Sequence, residues 1–146
     1  ISLANKWSYR SFTSVVWSKA HSFSHQMPVT FSPDVAEHIM TSIAVCAQNP
    51  AELTYFLTIV VAGDICDDKK FKDFIFCAYT KSGYADKNTG RIFKEKIASI
   101  YPKHCEELKI LEECDKKSSG AAPGVDTMFK FFKCFQETSK CLINLL

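Results

Sequence analysis

Phe71-Lys72-Asp73-Phe74-Ile75-Phe76-Cys77-Ala78-Tyr79 sets the helical period that organises the whole chain. Phe71, Phe74, Ile75 and Ala78 recur at the i, i+3, i+4, i+7 spacing of a single helix face. Asp67 or Asp68 supplies the cap that starts this helix, and Gly83 the stop that ends it. The same period governs Val125, Met128, Phe129, Phe132 and Phe135, the cleanest stripe in the chain. Each of these two helical stretches carries a cysteine, Cys77 in the first and Cys134 in the second.

Outward from there, the start signals repeat. Ser32-Pro33-Asp34 opens a helix, because Ser32 can cap and Pro33 fits the first helical position. Val35, Ile39, Ile43 and Cys46 follow at helical spacing. Asn49-Pro50-Ala51-Glu52 opens another, with Glu52 placed to complete a capping box and Gly63 to stop the helix after about Ala62. A fourth helix carries Phe93, Ile97 and Ile100 before Pro102, and a fifth carries Leu108, Leu111 and Cys114. Ser118 to Pro123 reads as a turn. The sequence shows no convincing strand pattern; Leu57 to Val61 is its one β-branched stretch, and it lies inside a capped helix. The expected class is all-α, with about six short helices. Residues 1–31 form an N-terminal extension in which Tyr9, Phe12, Val16, Ala20 and Phe23 follow a helical stripe beside Trp7 and Trp17. The plain reading is an extra helix packed on the body; the sharper ones are a lid over a cavity or a homodimer contact.

The 146 residues suit one domain, residues 1–146, able to bury most of its apolar surface. The net charge of +2 comes from interleaved signs, so no basic face argues for nucleic acid. Seven cysteines in so short a chain favour an oxidising, extracellular compartment. The start at Ile1 fits removal of a signal peptide, and a trimmed chain would look the same. The longest apolar run, Leu53 to Ala62, is too short to span a bilayer, so no stable membrane insertion is expected.

Catalytic and metal motifs fail on inspection. Asp86-Lys87-Asn88-Thr89-Gly90 begins like a calcium loop, yet Arg91 stands where its glycine belongs and Ile97 where its closing glutamate belongs. His104-Cys105 with Cys114 lacks the paired spacing of a metal site. His38 stands two helical turns before Cys46, but a cysteine in a disulfide cannot serve as nucleophile. GxSxG, P-loop and HExxH patterns are absent. The expectation is a chain with no enzymatic activity, no cofactor and no metal.

Cys46, Cys77, Cys114 and Cys134 stand at spacings that resemble the insect odorant-binding proteins, matching that family's first, third, fourth and sixth cysteines. Asp73 and Val125 occupy the places of the second and fifth, as in the branch that lacks this pair. Asp67-Asp68-Lys69-Lys70-Phe71 and Lys81-Ser82-Gly83-Tyr84-Ala85-Asp86 also look like the family. The resemblance spans about residues 32–140; Cys66, Cys105, Cys141 and the long N-terminus depart from it. It implies bridges Cys46–Cys77 and Cys114–Cys134. If the fifth and sixth helices run antiparallel, the second bridge sets a register that brings Cys105 and Cys141 to similar heights. A third bridge, Cys105–Cys141, then requires Cys105 at or before the helix start, and leaves Cys66 free or intermolecular.

Twelve phenylalanines and many aliphatic side chains line the expected inward faces. Short helices leave residual space, but a pocket wall and a filled core carry the same residue types. The resemblance implies the pocket: a secreted carrier that reversibly binds a small hydrophobic ligand such as an odorant or pheromone. Its expected wall is Ile39, Ile43, Leu57, Phe74, Ala78, Ile97, Leu111, Met128, Phe132 and Leu142, with Tyr79, Tyr101 and Thr127 as orienting polar groups. Leu142 belongs to the apolar tail 141–146, which either continues the sixth helix or closes the pocket. Two other classes stand beside the carrier: a saposin-like lipid-interacting module, and a secreted salivary or seminal interaction protein on the same fold.

Overall fold

The computed structural model describes residues 26–120 and 124–143. Six α-helices occur among them: α1 Pro33–Ala44, α2 Pro50–Ala62, α3 Lys69–Lys81, α4 Lys94–Ala98, α5 Glu107–Ser118 and α6 Gly124–Thr138. A 3₁₀ turn, Lys103–Cys105, precedes α5. The protein is all-α, as its periodicity indicates, and the stripe Tyr9–Phe23 lies outside the described residues.

The starts follow side-chain chemistry. Ser32 Oγ accepts from the Val35 N–H at 3.5 Å, and Asp68 Oδ2 accepts from the Phe71 N–H at 3.0 Å. Asn49 Oδ1 accepts from the Glu52 N–H, and Glu52 Oε1 accepts from the Gln48 N–H, both at 2.9 Å. The box therefore closes one residue further out than the usual cap amide. Gly63 ends α2 at φ +71°, where a side chain would be strained. Asp86 to Gly90 forms a turn, with Asp86 Oδ1 accepting from the Asn88 N–H at 2.7 Å. Gly90 abuts the start of α6 so closely that a Cβ would lie 2.2 Å from the Gly124 carbonyl oxygen.

Two short strands are the main departure from the sequence reading. β1, Met27–Val29, pairs in parallel with β2, Cys141–Ile143, in the register Met27–Cys141, Pro28–Leu142 and Val29–Ile143. Residues 26–31 thus carry a strand, and the tail leaves the helix after Thr138 rather than extending it. Gln26 fixes this end. Its side-chain amide donates to the carbonyls of Gln136 at 3.1 Å and Ser139 at 2.9 Å, satisfying acceptors that the helix terminus leaves open.

Three disulfides hold the helices: Cys46–Cys77 ties the end of α1 to α3, Cys114–Cys134 ties α5 to α6, and Cys105–Cys141 ties the 3₁₀ turn to β2. The last two give α5 and α6 their antiparallel register, and Cys105 lies before α5, as the helical geometry demands. Cys66 is free and exposed.

The filled core lies around α3, α5 and α6, where Phe71, Leu111 and Met128 have no exposed surface. Phe71 meets the rings of Phe56, Phe129 and Phe132. Two stripes read from sequence shift here. Leu108 is 40% exposed, and α5 turns Glu107, Ile110, Leu111, Cys114, Asp115 and Ser118 inward instead. Two acids can occupy that face because each has partners. Arg91 Nε and Nη2 donate to the two Asp115 oxygens at 2.9 Å, and this pairing holds the carboxyl below its usual range. Likewise α4 begins only at Lys94, so Phe93 is its N-cap residue and is half-exposed.

Candidate ligand-binding site

A cavity of about 140 Å³ lies between α1, α2, α3, α4 and α6. The helical period fixes which apolar side chains of each helix turn inward. Of the residues expected in the wall, Ile39 and Ile43 of α1, Leu57 of α2, Phe74 and Ala78 of α3, Ile97 of α4 and Phe132 of α6 border this space. Leu111 and Met128 do not; both lie fully buried in the filled core. The backbone of Leu142 pairs in β2, and its side chain lies outside the described residues.

Val60, Ile75, Ile100 and Phe135 also border the cavity, together with Phe31 ahead of α1 and Tyr84 after α3. Ile75 and Phe135 belong to stripes already visible in sequence, whereas Phe31 and Tyr84 precede and follow helices and carry no periodic signal. Phe31 packs edge-on against Tyr101 at 5.4 Å between ring centroids, and Tyr101 against Phe135 at 6.1 Å.

The polar groups of the wall are few. Ser82 Oγ donates to the Ala78 carbonyl at 2.6 Å, and the Ser82 carbonyl accepts from Nε2 of His38, outside the wall, at 2.8 Å, so Ser82 is committed to the fold. Tyr79 and Tyr101 both border the cavity; Thr127 is buried in α6 away from it. Burial pushes both tyrosine phenols well up from their ordinary value, and the nearby Glu107 charge adds to this. At neutral pH each is therefore an O–H group able to donate.

Glu107, for which the sequence carries no signal, lies outside the cavity wall, on the side of α5 that borders an outer groove. It is 3% exposed, in the first turn of α5. Its Oε1 accepts from the Ser139 hydroxyl at 2.9 Å, while Oε2 has no hydrogen-bond partner among the described residues. Burial pushes the Glu107 carboxyl up to about 7, opposed by the Ser139 hydrogen bond and the Lys140 charge. The Ser139 hydroxyl also lies 2.8 Å from the Cys141 carbonyl, so its single proton faces two acceptors. A protonated Glu107 resolves the conflict by donating to Ser139, which then donates to Cys141.

A larger groove of about 560 Å³ lies outside, along the 3₁₀ turn and α5, lined by Tyr101 and by Lys103, Glu106, Lys109 and Glu112 among others. Its mixed charges and open shape suit water, whereas the smaller interior cavity offers the continuous apolar wall that a hydrophobic molecule needs. The sulfurs of Cys105 and Cys141 lie within 4.8 Å of a His104 ring nitrogen, yet the disulfide between them leaves neither as a thiolate ligand. No described helix is long and apolar enough to cross a membrane.

Comparison with known proteins agrees with this architecture. The sequence profile of the PBP/GOBP family matches residues 28–138, from β1 to the end of α6 and through every wall helix. Searches of the curated proteins and of the solved structures return no match. Six helices, five of them bordering an apolar cavity, are stapled by Cys46–Cys77 and Cys114–Cys134, and the family match over most of the sequence shows that this chain belongs to the PBP/GOBP family of small odorant- and pheromone-binding carriers.

Proposed function

We propose that this protein is a secreted carrier that reversibly buries one small hydrophobic molecule in the cavity between α1, α2, α3, α4 and α6. The observation that carries the reading is the cavity itself. Five helices contribute its wall, and the wall is almost wholly aliphatic and aromatic. Binding exchanges water for that wall, worth about 25 cal/mol per Å² of apolar surface removed from water. Its size suits a compact ligand, since a dry apolar cavity of about 150 Å³ admits benzene. The three disulfides suit extracellular fluid, where such bridges persist.

The test is calorimetric titration with small aromatic and short-chain volatiles, on the wild type and on Ala78→Trp. The indole should occupy the cavity and weaken binding by about tenfold or more, about 1.4 kcal/mol, while the helical circular-dichroism signal persists. Unchanged affinity in a folded variant would remove the α3 face from the site. If no member of the panel bound the wild type, the reading would pass to a secreted interaction protein on the same fold.

A further inference from the structure

We propose that Phe31 is the gate of the cavity, and that the Cys105–Cys141 bridge sets how long a ligand stays by holding the β1–β2 strap from which this ring extends. The inference rests on the carrier reading and assigns the residue that governs ligand exchange.

Phe31 reaches the cavity in its own way. It belongs to the link Thr30-Phe31-Ser32, which joins β1 to α1, and it borders the cavity from there. Thr30 and Ser32 on either side of it are exposed, and Phe31 itself is half-buried, so its ring enters the wall from the protein surface. Inside, the ring packs edge-on against Tyr101 at 5.4 Å between centroids, and Tyr101 borders the same cavity. One ring contact of this kind is weak enough to open without disturbing the helices.

Both rings of the gate rest on one bridge. Cys105–Cys141 joins the 3₁₀ turn to β2, and β2 pairs with β1. Val29, two positions before Phe31, is buried against the two bridged cysteines, and Tyr101 packs against the same cluster. Phe31 therefore has two anchors in the chain, the strap before it and α1 after it. α1 is tied to α3 by Cys46–Cys77 and supplies Ile39 and Ile43 to the wall, so its release would dismantle the site. Met27, Val29 and Cys141 of the strap do not border the cavity. Loosening the strap therefore frees Phe31 and leaves the rest of the wall standing.

Fluorobenzene tests this, with fluorine NMR exchange giving its rates and calorimetry its affinity. Dissociation from Phe31→Ala should be about tenfold faster than from the wild type, the change expected when an aromatic contact is lost from the barrier. Association should quicken as well, so that the affinity moves far less than either rate. Cys105→Ser combined with Cys141→Ser should act in the same direction. Adding both serines to Phe31→Ala should quicken exchange little further, since the gate they steady is already gone. A bridge that merely stabilised the fold would show no such dependence on Phe31. Should the serine variant fail to fold, Gln26→Ala, which removes two hydrogen bonds beside the strap, should quicken dissociation when Phe31 is present and not when it is alanine. Equal rates in the wild type and in folded Phe31→Ala would overturn the gate while leaving the carrier reading intact. Bridge removal that quickened release equally with and without Phe31 would also overturn it. A dry cavity of this size admits benzene, so failure of fluorobenzene to bind the wild type would overturn the carrier reading and the gate together.

Discussion

Glu107 and Asp115 lie two turns apart on the same face of α5, and their environments push them in opposite directions. Asp115 is held low by Arg91, so it favours the folded state most once it is ionised, and that contribution is lost as the pH falls through its lowered value. Glu107 is raised from the ordinary carboxylate value of 4.5 to about 7. Through that window the folded chain keeps a proton that the unfolded chain has released. Its contribution is therefore fully present below about pH 4.5 and is lost as the pH rises through about 7. Glu107→Gln should remove this dependence. Melting temperatures of the wild type between pH 5 and pH 8 should decline relative to those of the variant, and the variant should be the more stable at pH 8. Parallel curves would show that Glu107 titrates in the fold as it does in water. The burial of Glu107 was illegible in sequence, because a charged side chain reads as surface until Ser139 is brought beside it.

Among the elements, α1, α2 and α3 could be read almost to the residue. Their caps are local, and Ser32, Asn49 and Asp68 each bond an amide within three positions. On α5 hydropathy points Leu111 and Cys114 inward correctly but also Leu108, whose place in the core Glu107 and Asp115 take. The β1–β2 pair had no signal at all: three residues at each end are too few for an alternating pattern, and their partners meet only across the folded chain. The Cys105–Cys141 bridge packs against Val29 of this strap and against Tyr101. Replacing both cysteines by serine should cost about 2–4 kcal/mol, measured as a lower denaturation midpoint. The Met27 amide, which donates to the Lys140 carbonyl at 2.8 Å, should then exchange with solvent faster, while the helical signal of the body persists. Unaltered exchange at Met27 would show that strand pairing and Gln26 hold the strap without the bridge.

At the scale of the whole molecule, seven cysteines and three bridges leave one thiol. Titration under denaturing, non-reducing conditions should count one, at Cys66, and a count of three would mean that one of the bridges had not formed. The sequence by itself determined the helix starts, the all-α class and the spacing of Cys46, Cys77, Cys114 and Cys134, because caps, periodicity and spacing act over short stretches of chain. Ile39, Ile43, Leu57, Phe74, Ala78, Ile97 and Phe132, expected in a wall, do border the cavity, and whether a ligand meets them is for the titration to decide. Tertiary structure alone decided which apolar positions face empty space. Phe71 and Phe74 sit on one helix face with the same chemistry, yet Phe71 packs among rings in the filled core and Phe74 borders the cavity. The same holds for Leu111 and Met128, since hydropathy records that a side chain leaves water and says nothing of whether an atom or a void meets it. The strap and the Glu107–Ser139 hydrogen bond likewise depend on contacts between distant segments, such as Gln26 and Gln136, 110 positions apart, where only the packed chain brings donor to acceptor.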